Sequence, residues 1–134
     1  MKILLDTNIA MDIITKRDGY EDSLQILKYC EIGTVKGYIS ALSIADLMYL
    51  LRKYIGAEEA RKSVQLLTLI IEAADILKND ISNTFLSSMK DFEDSVQSFC
   101  AKRINVDYIV TKNIKDFKDS LVPAILPRDL LKNL

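Results

Sequence analysis

Short apolar runs alternate along this chain with longer stretches in which apolar residues recur three and four positions apart. Short runs bounded by Gly, Pro or polar residues predict strands, and the longer periodic stretches predict amphipathic helices. The predicted strands are Ile3–Leu5, Gly37–Ser40, Ala74–Leu77, Tyr108–Thr111 and Ala124–Leu126. The predicted helices are Asp6–Ile14, Tyr20–Ile32, Ser43–Ile55, Ala57–Ile71, Asp80–Met89, Asp91–Ile104 and Arg128–Leu134.

This alternation predicts an α/β protein with a central parallel sheet covered by helices on both faces. The 134 residues fit a single domain, 1–134, which is long enough to bury a hydrophobic core without disulfides or metals as staples. Cys30 and Cys100 lie in no metal-binding spacing, so we expect both to be reduced and buried.

Composition limits the chemistry. The chain has no histidine, which excludes Ser-His-Asp and Cys-His catalysis and any histidine-ligated metal. Its 18 basic and 19 acidic residues give a formal charge of −1, which argues against nucleic-acid binding over the whole surface but not against a local basic patch. No apolar stretch is long enough to span a bilayer, and Asp6 comes too early for a signal peptide, so we expect a soluble, cytoplasmic protein.

Acidic residues fall where the predicted strands end or the following helices begin. Asp6 ends the first strand, Asp46 and Asp94 lie near the start of predicted helices, and Asn113 and Asp116 follow the fourth strand. Open α/β sheets place their sites at this edge. Taken singly, an acid here serves equally well as a helix cap, and Ser43 with Asp46 fits a capping box.

Several carboxylates meeting at one edge repel each other unless a cation lies among them. With no histidine or thiolate ligand in reach, the fitting cation is Mg²⁺ or Mn²⁺. Neighbouring hydroxyls and amides would orient the acids or bound waters, and two lysines flanking the edge would bind the phosphates of a phosphodiester substrate. The supporting residues are Thr7, Asn8, Ser43 and Thr111, and the lysines are Lys112 and Lys115.

Three segments resemble those of PIN-domain proteins, and most closely the VapC-like toxins of bacterial toxin–antitoxin pairs. They are Ile3-Leu4-Leu5-Asp6-Thr7-Asn8, Asp91-Phe92-Glu93-Asp94-Ser95-Val96-Gln97 and the segment from Asp107 to Phe117. The resemblance implies a three-layer α/β/α sandwich and a Mg²⁺- or Mn²⁺-dependent endoribonuclease. It also implies a homodimer and an antitoxin partner that inserts a segment into the acidic cleft.

By position, the resemblance matches Asp6, Asp46 and Asp94 to the three core acids that hold the metal. Asp46 stands where Glu is commoner in the family. The fourth acidic place falls at Asn113, and Asp116, three residues on, is expected to supply that role, which leaves the number of metals open. The implied reaction is an in-line attack by an activated water, leaving a 5′-phosphate and a 3′-hydroxyl.

Two other functions fit parts of the same pattern. Asn113 and Asp46 also suit a PIN-like module that binds RNA or protein with little or no catalysis. A phosphatase with Asp6 as nucleophile lacks its usual second acid, because Asn8 occupies that place. Separately, the helices from Ser43 to Ile71 are apolar on more than one face, which favours a buried helix or a homodimer contact.

Overall fold

Five parallel strands form the centre of the structure, a computed structural model that describes residues 1–134. The strand order is β3-β2-β1-β4-β5, and every neighbouring pair is parallel. This confirms the predicted α/β class. The strands are β1 (Lys2–Leu5), β2 (Lys36–Ser40), β3 (Glu72–Ala74), β4 (Tyr108–Val110) and β5 (Ala124–Ile125).

Helices cover both faces of this sheet. One face carries α1, α2, α3, α4 and α7, and the other carries α5 and α6, which gives the three-layer sandwich. A 3₁₀ turn, Ile114–Phe117, follows β4. The helices are α1 (Thr7–Thr15), α2 (Tyr20–Glu31), α3 (Ala41–Ile55), α4 (Ala57–Ile70), α5 (Lys78–Thr84), α6 (Phe92–Arg103) and α7 (Pro127–Leu131).

The central strand β1 divides its side chains between two cores. Ile3 and Leu5 pack into the larger core beneath α1–α4, whereas Leu4 points to the smaller core beneath α6. All three are 0% exposed. A strand buried on both faces needs a continuous apolar run, and this explains the Ile-Leu-Leu sequence immediately before the first acid.

Two elements of the β3–α5 region differ from the predictions in position or length. The strand predicted at 74–77 lies instead at Glu72–Ala74, where pairing with β2 and an ion pair between Lys36 and Glu72 (3.0 Å) stabilise it. The helix predicted at 80–89 spans only Lys78–Thr84, beginning earlier because the Leu77 amide donates to Asp80 Oδ2. Beyond Thr84 the chain has little apolar burial to continue a helix.

The cap of α3 is also not the predicted one. Ser40 is the N-cap, and its Oγ accepts a hydrogen bond from the Ser43 amide at 3.0 Å, so the helix begins at Ala41. The prediction that Ser43 caps the helix with Asp46 was wrong. The Ser43 hydroxyl is therefore free to bond elsewhere, and Asp46 lies in the second turn rather than the first.

Most of the apolar excess on α3 and α4 belongs to this chain's own core. Leu47, Leu51, Val64 and Leu67 are all buried in the larger cluster, so they offer no surface to a second subunit. The homodimer stays a prediction, without these residues to support it. No helix of the structure has the length and apolarity needed to cross a membrane.

The backbone of β2 approaches α2 and the end of α4 closely at Gly37. A Cβ atom there would lie 2.7 Å from Ile71 Cγ2 and 2.8 Å from Cys30 Sγ. Only glycine fits this close approach without displacing its neighbours. Cys30 and Cys100 are both free and buried, as predicted.

Candidate active site

An open cleft of about 570 Å³ lies at the carboxyl ends of the central strands, bordered by the start of α6. Six carboxylates and only one basic side chain line it. Four of the acids, Asp6, Asp46, Asp94 and Asp116, are those predicted from the sequence, and they come together although they are far apart along the chain. The other two acids are Asp91 and Glu93, and the basic residue is Arg17.

Asp6 is the most firmly held of these acids. It is 7% exposed and is the N-cap of α1. Its Oδ1 accepts hydrogen bonds from the Thr7 amide (2.8 Å) and from Gln97 Nε2 (2.9 Å). Its Oδ2 accepts one from Thr111 Oγ1 (2.8 Å). Three donors to one carboxylate fix its orientation.

A chain of side-chain hydrogen bonds joins three helices behind Asp6. Thr7 Oγ1 donates to Ser43 Oγ (2.9 Å), and Ser43 Oγ donates to Gln97 Oε1 (3.1 Å). Because Gln97 accepts through its oxygen, its amide nitrogen is directed at Asp6. The network links α1, α3 and α6, and it therefore fixes the relative positions of the elements that supply the acids.

Thr111 and Asn8 make a similar link to the segment after β4. Thr111 Oγ1 accepts hydrogen bonds from the Asn113 amide (3.0 Å) and Asn8 Nδ2 (3.4 Å) while it donates to Asp6. Asn8 Oδ1 in turn accepts from the Lys112 amide (3.4 Å). These bonds hold the turn that carries Asp116 against the start of α1.

Two acids in the first turn of α6, Glu93 and Asp94, have raised pKa values. Burial raises the pKa of Asp94 to about 7, and the charges of Asp91, Asp6, Asp116 and Glu93 add to the shift.

The neighbouring Glu93 shows the same effect from a different main cause. A carboxyl–carboxylate hydrogen bond with Asp46 is the largest contribution that raises the pKa of Glu93 to about 7, followed by burial. Uncompensated negative charge therefore accumulates at this end of the cleft, which is the electrostatic condition that favours a bound cation.

The donor chemistry of the cleft fits a hard divalent cation. Every ligating group is an oxygen, as Mg²⁺ and Mn²⁺ prefer, and Asp6 is already oriented by its donors. No group of three acids stands in a ready-made ligand arrangement, so binding would draw the carboxylates together around the ion.

Most of the predicted supporting residues also reach the cleft. Thr7, Asn8, Ser43 and Asn113 line it, and Thr111 lies directly behind Asp6, fully buried.

The two lysines do not line the cleft. Lys112 Nζ pairs with the buried Asp12 at 2.9 Å, and Lys115 lines a neighbouring cavity.

Sequence reasoning missed three residues that belong to this geometry. Gln97 is a buried amide on the apolar side of α6, and such a polar residue among Val96, Cys100 and Ala101 is the signal that marks it. Glu93 is adjacent to Asp94 in the matched segment. Arg17 follows a left-handed residue at the end of α1, and its guanidinium lies 5.5 Å from the centre of the Tyr54 ring.

Comparison with known proteins gives one family and a set of similar folds. A family model described as "PIN domain" matches residues 2–115. A search of curated protein sequences gave no match.

Among solved structures, VapBC2 from Rickettsia felis, bound to a DNA fragment from its promoter, is similar with a TM-score of 0.74 and 21% identity. The match covers 94% of this chain and 98% of that one. DNA-bound VapBC from Salmonella typhimurium has a TM-score of 0.76 and 17% identity, and the match covers 95% of this chain and 98% of that one. VapC20 from Mycobacterium tuberculosis, a toxin that cleaves the sarcin-ricin loop, has a TM-score of 0.64 and 10% identity, and the match covers 80% of this chain and 86% of that one.

Proposed function

Because this chain belongs to the PIN domain family, we propose that it is a metal-dependent endoribonuclease of the toxin–antitoxin type. The observation that supports this most directly is the cleft of six carboxylates around a rigidly held Asp6. Such a cleft repels RNA in the absence of a cation, and a divalent ion held by these acids would supply the attraction to a phosphodiester.

Three of the similar structures bear on the substrate and the partner. The Mycobacterium toxin cleaves the sarcin-ricin loop, which supports RNA as the substrate class. The Rickettsia and Salmonella structures are toxin–antitoxin complexes bound to DNA, which supports a cognate antitoxin as the partner. A homodimer is part of the same proposal.

The proposed ion is Mg²⁺ or Mn²⁺, held by Asp6 and Asp94 with help from Asp46. When bound, such an ion polarises the scissile phosphate and makes a nearby water more acidic. Gln97, Thr111 and the Thr7 amide keep Asp6 oriented for this role. Asn113 carries no charge, so Asp116 is the acid on the β4 side of the cleft.

The cleft's proton chemistry rests on its carboxylates, because the chain has no histidine. Glu93 and Asp94, whose pKa values are raised to about 7, exchange protons near neutral pH in the metal-free protein. A side-chain hydrogen bond to Asp46 is the main cause of the raised pKa of Glu93.

The central test compares two matched variants. Wild-type protein with Mn²⁺ should cleave single-stranded RNA, and Asp6→Asn should reduce cleavage by more than about 100-fold, because the amide removes the charge that holds the ion. Asp18→Asn removes an equal charge from an exposed position outside the cleft and should leave the rate within about twofold.

Each other outcome has a definite meaning. If Asp6→Asn cleaves as fast as the wild type, the site assignment is wrong. If the wild type binds RNA but never cleaves it with Mn²⁺ or Mg²⁺, the protein is a PIN-like RNA-binding module without catalysis, the function that Asn113 and Asp46 also allow.

In a separate melting experiment, Mn²⁺ at about 100 times its Kd should stabilise the protein by about 2.7 kcal/mol, and Asp94→Asn should remove most of this stabilisation.

A further inference from the structure

A second cavity of about 930 Å³ opens beside the acidic cleft. We call it the lysine cavity; it is lined by residues 88–91, 114–121, 123 and 124. Asp91 and Asp116 line both spaces, so the lysine cavity and the acidic cleft adjoin each other. A polymer with one phosphate at the acids would therefore extend its neighbouring phosphates into the lysine cavity.

Three lysines, Lys90, Lys115 and Lys118, line this cavity, and all three are exposed. None of them forms an ion pair, although acids lie in the same cavity. Lys112, by contrast, is held by the buried Asp12 and is not available to a ligand. The unpaired ammonium groups next to the acidic cleft are therefore those of the lysine cavity.

The wall of the lysine cavity is anchored. The Leu121 amide and the Ser120 hydroxyl both donate to Ser98 Oγ on α6, at 2.8 and 3.0 Å. Phe117, between the lysine positions, is 3% exposed and packs into the smaller core. The segment that carries Lys115 and Lys118 is thus positioned before any ligand arrives, which reduces the entropy lost on binding.

The exposed lysines of this cavity can attract the phosphates of an RNA strand. Without a metal ion the acidic cleft repels RNA phosphates, and the protein as a whole has a net charge of −1, so exposed lysines beside the cleft would add local attraction for the strand. Phosphate contacts of this kind position a strand without selecting its sequence. The partly exposed Ile114 (38%) and Leu121 (51%) add apolar surface for unstacked bases.

We propose that the lysine cavity binds the backbone phosphates of single-stranded RNA adjacent to the phosphate in the acidic cleft, through Lys90, Lys115 and Lys118. This inference rests on the proposed function, since it identifies where the rest of the substrate strand lies. Single strands are the expected form because the unpaired bases of a single strand can spread over this apolar surface.

The experiment measures RNA binding and RNA cleavage separately. Binding of a fluorescein-labelled single-stranded RNA is followed by anisotropy in an Asp6→Asn background, so that no cleavage interferes. The test variant replaces Lys90, Lys115 and Lys118 together by Ala. The matched control replaces Lys28, Lys78 and Lys102, three exposed lysines outside both spaces, and loses the same charge.

The cavity variant should bind RNA at least about tenfold more weakly at low salt. The slope of log Kd against log salt should fall by roughly two, because each of the three lost phosphate contacts contributes about 0.7 to that slope. The control should change Kd less than about twofold. A variant with Arg at the same three positions should bind as the parent does. Melting temperatures within a few degrees of the parent establish that all variants are folded.

Two results would overturn the proposal: an equal loss of affinity in both Ala variants, or no loss in the cavity variant. Its failure is distinguishable from failure of the proposed function. If the wild type cleaves RNA and the cavity variant has the same KM, the nuclease stands and the lysine cavity does not. If the wild type binds RNA without cleaving it, and only the replacement of the cavity lysines weakens that binding, the binding site stands and the nuclease does not.

Discussion

Replacing Lys112 by methionine removes the one cation that pairs with Asp12. Asp12 is 1% exposed, and its Oδ2 lies 2.9 Å from Lys112 Nζ. Its other oxygen, Oδ1, has no hydrogen-bond partner. Without the lysine, the carboxylate would remain buried with neither a counter-charge nor a side-chain donor, and the native state would lose stability.

The magnitude lies between two limits. Breaking a fully buried ion pair costs about 3–5 kcal/mol, and an exposed pair contributes about 0–1 kcal/mol. Here the acid is buried while the lysine side chain is 42% exposed, so we expect a loss of about 2 kcal/mol. At roughly 2.1 cal/mol/K per residue over 134 residues, this lowers the Tm by about 7 °C.

Thermal and urea unfolding of the purified protein measure this loss. The double variant Asp12→Asn with Lys112→Met should recover most of the stability, because it removes the buried charge together with its partner. Lys132→Met is the matched control: it breaks an exposed pair with Asp129 and should change stability by less than about 0.5 kcal/mol. If Lys112→Met has the same Tm as the wild type and instead binds RNA more weakly, the pairing with Asp12 is not the role of this lysine.

Three further predictions concern other parts of the structure. Because the pKa values of Glu93 and Asp94 are raised to about 7, the metal-free native state binds more protons than the unfolded chain between about pH 4 and pH 7. The free energy of unfolding should therefore fall as the pH rises through that window. Melting scans in chelator at pH 5 and pH 8 measure this fall, which should be smaller in Asp94→Asn. Gln97→Ala removes one donor to Asp6 and should reduce kcat/KM for RNA about 10–100-fold with the Tm lowered only modestly; an unchanged rate would show that Asp6 does not depend on it. Gly37→Ala should destabilise by about 1–3 kcal/mol in urea unfolding because its Cβ meets Cys30 Sγ, and adding Cys30→Ala should recover part of the loss; a single variant as stable as the wild type would contradict the close approach.

The sequence was most informative where a buried strand meets an acid. Ile3 to Leu5 need apolar neighbours on both faces, so their run identifies a central parallel strand, and Asp6 must then stand at the carboxyl edge of the sheet. The same rule placed the segment after β4 at that edge. It worked because it depends only on local pattern and on the geometry shared by parallel sheets.

Other features depend on contacts that no local pattern reports. The strand β3 is Glu-Ala-Ala, which has no β-branched residue, and it exists because β2 offers it hydrogen bonds. Lys112 lies at the predicted edge, but its side chain turns to Asp12, a partner 100 positions earlier in the chain. Gln97 could be assigned to Asp6 only once α6 was placed against the end of β1.

The strand order has a consequence for the synthesis of this protein. β1 is translated before the other four strands, yet it lies in the middle of the sheet, and one of its two partners, β4, begins at Tyr108. The Asp6 amide is fixed by the Val110 carbonyl, and the Asp6 carboxylate by Thr111 and Gln97. Contacts of such long sequence separation form late. A nascent chain therefore lacks an assembled acidic cleft until the residues as far as Thr111 have been translated, so a ribosome making this protein is not exposed to its proposed activity before that point.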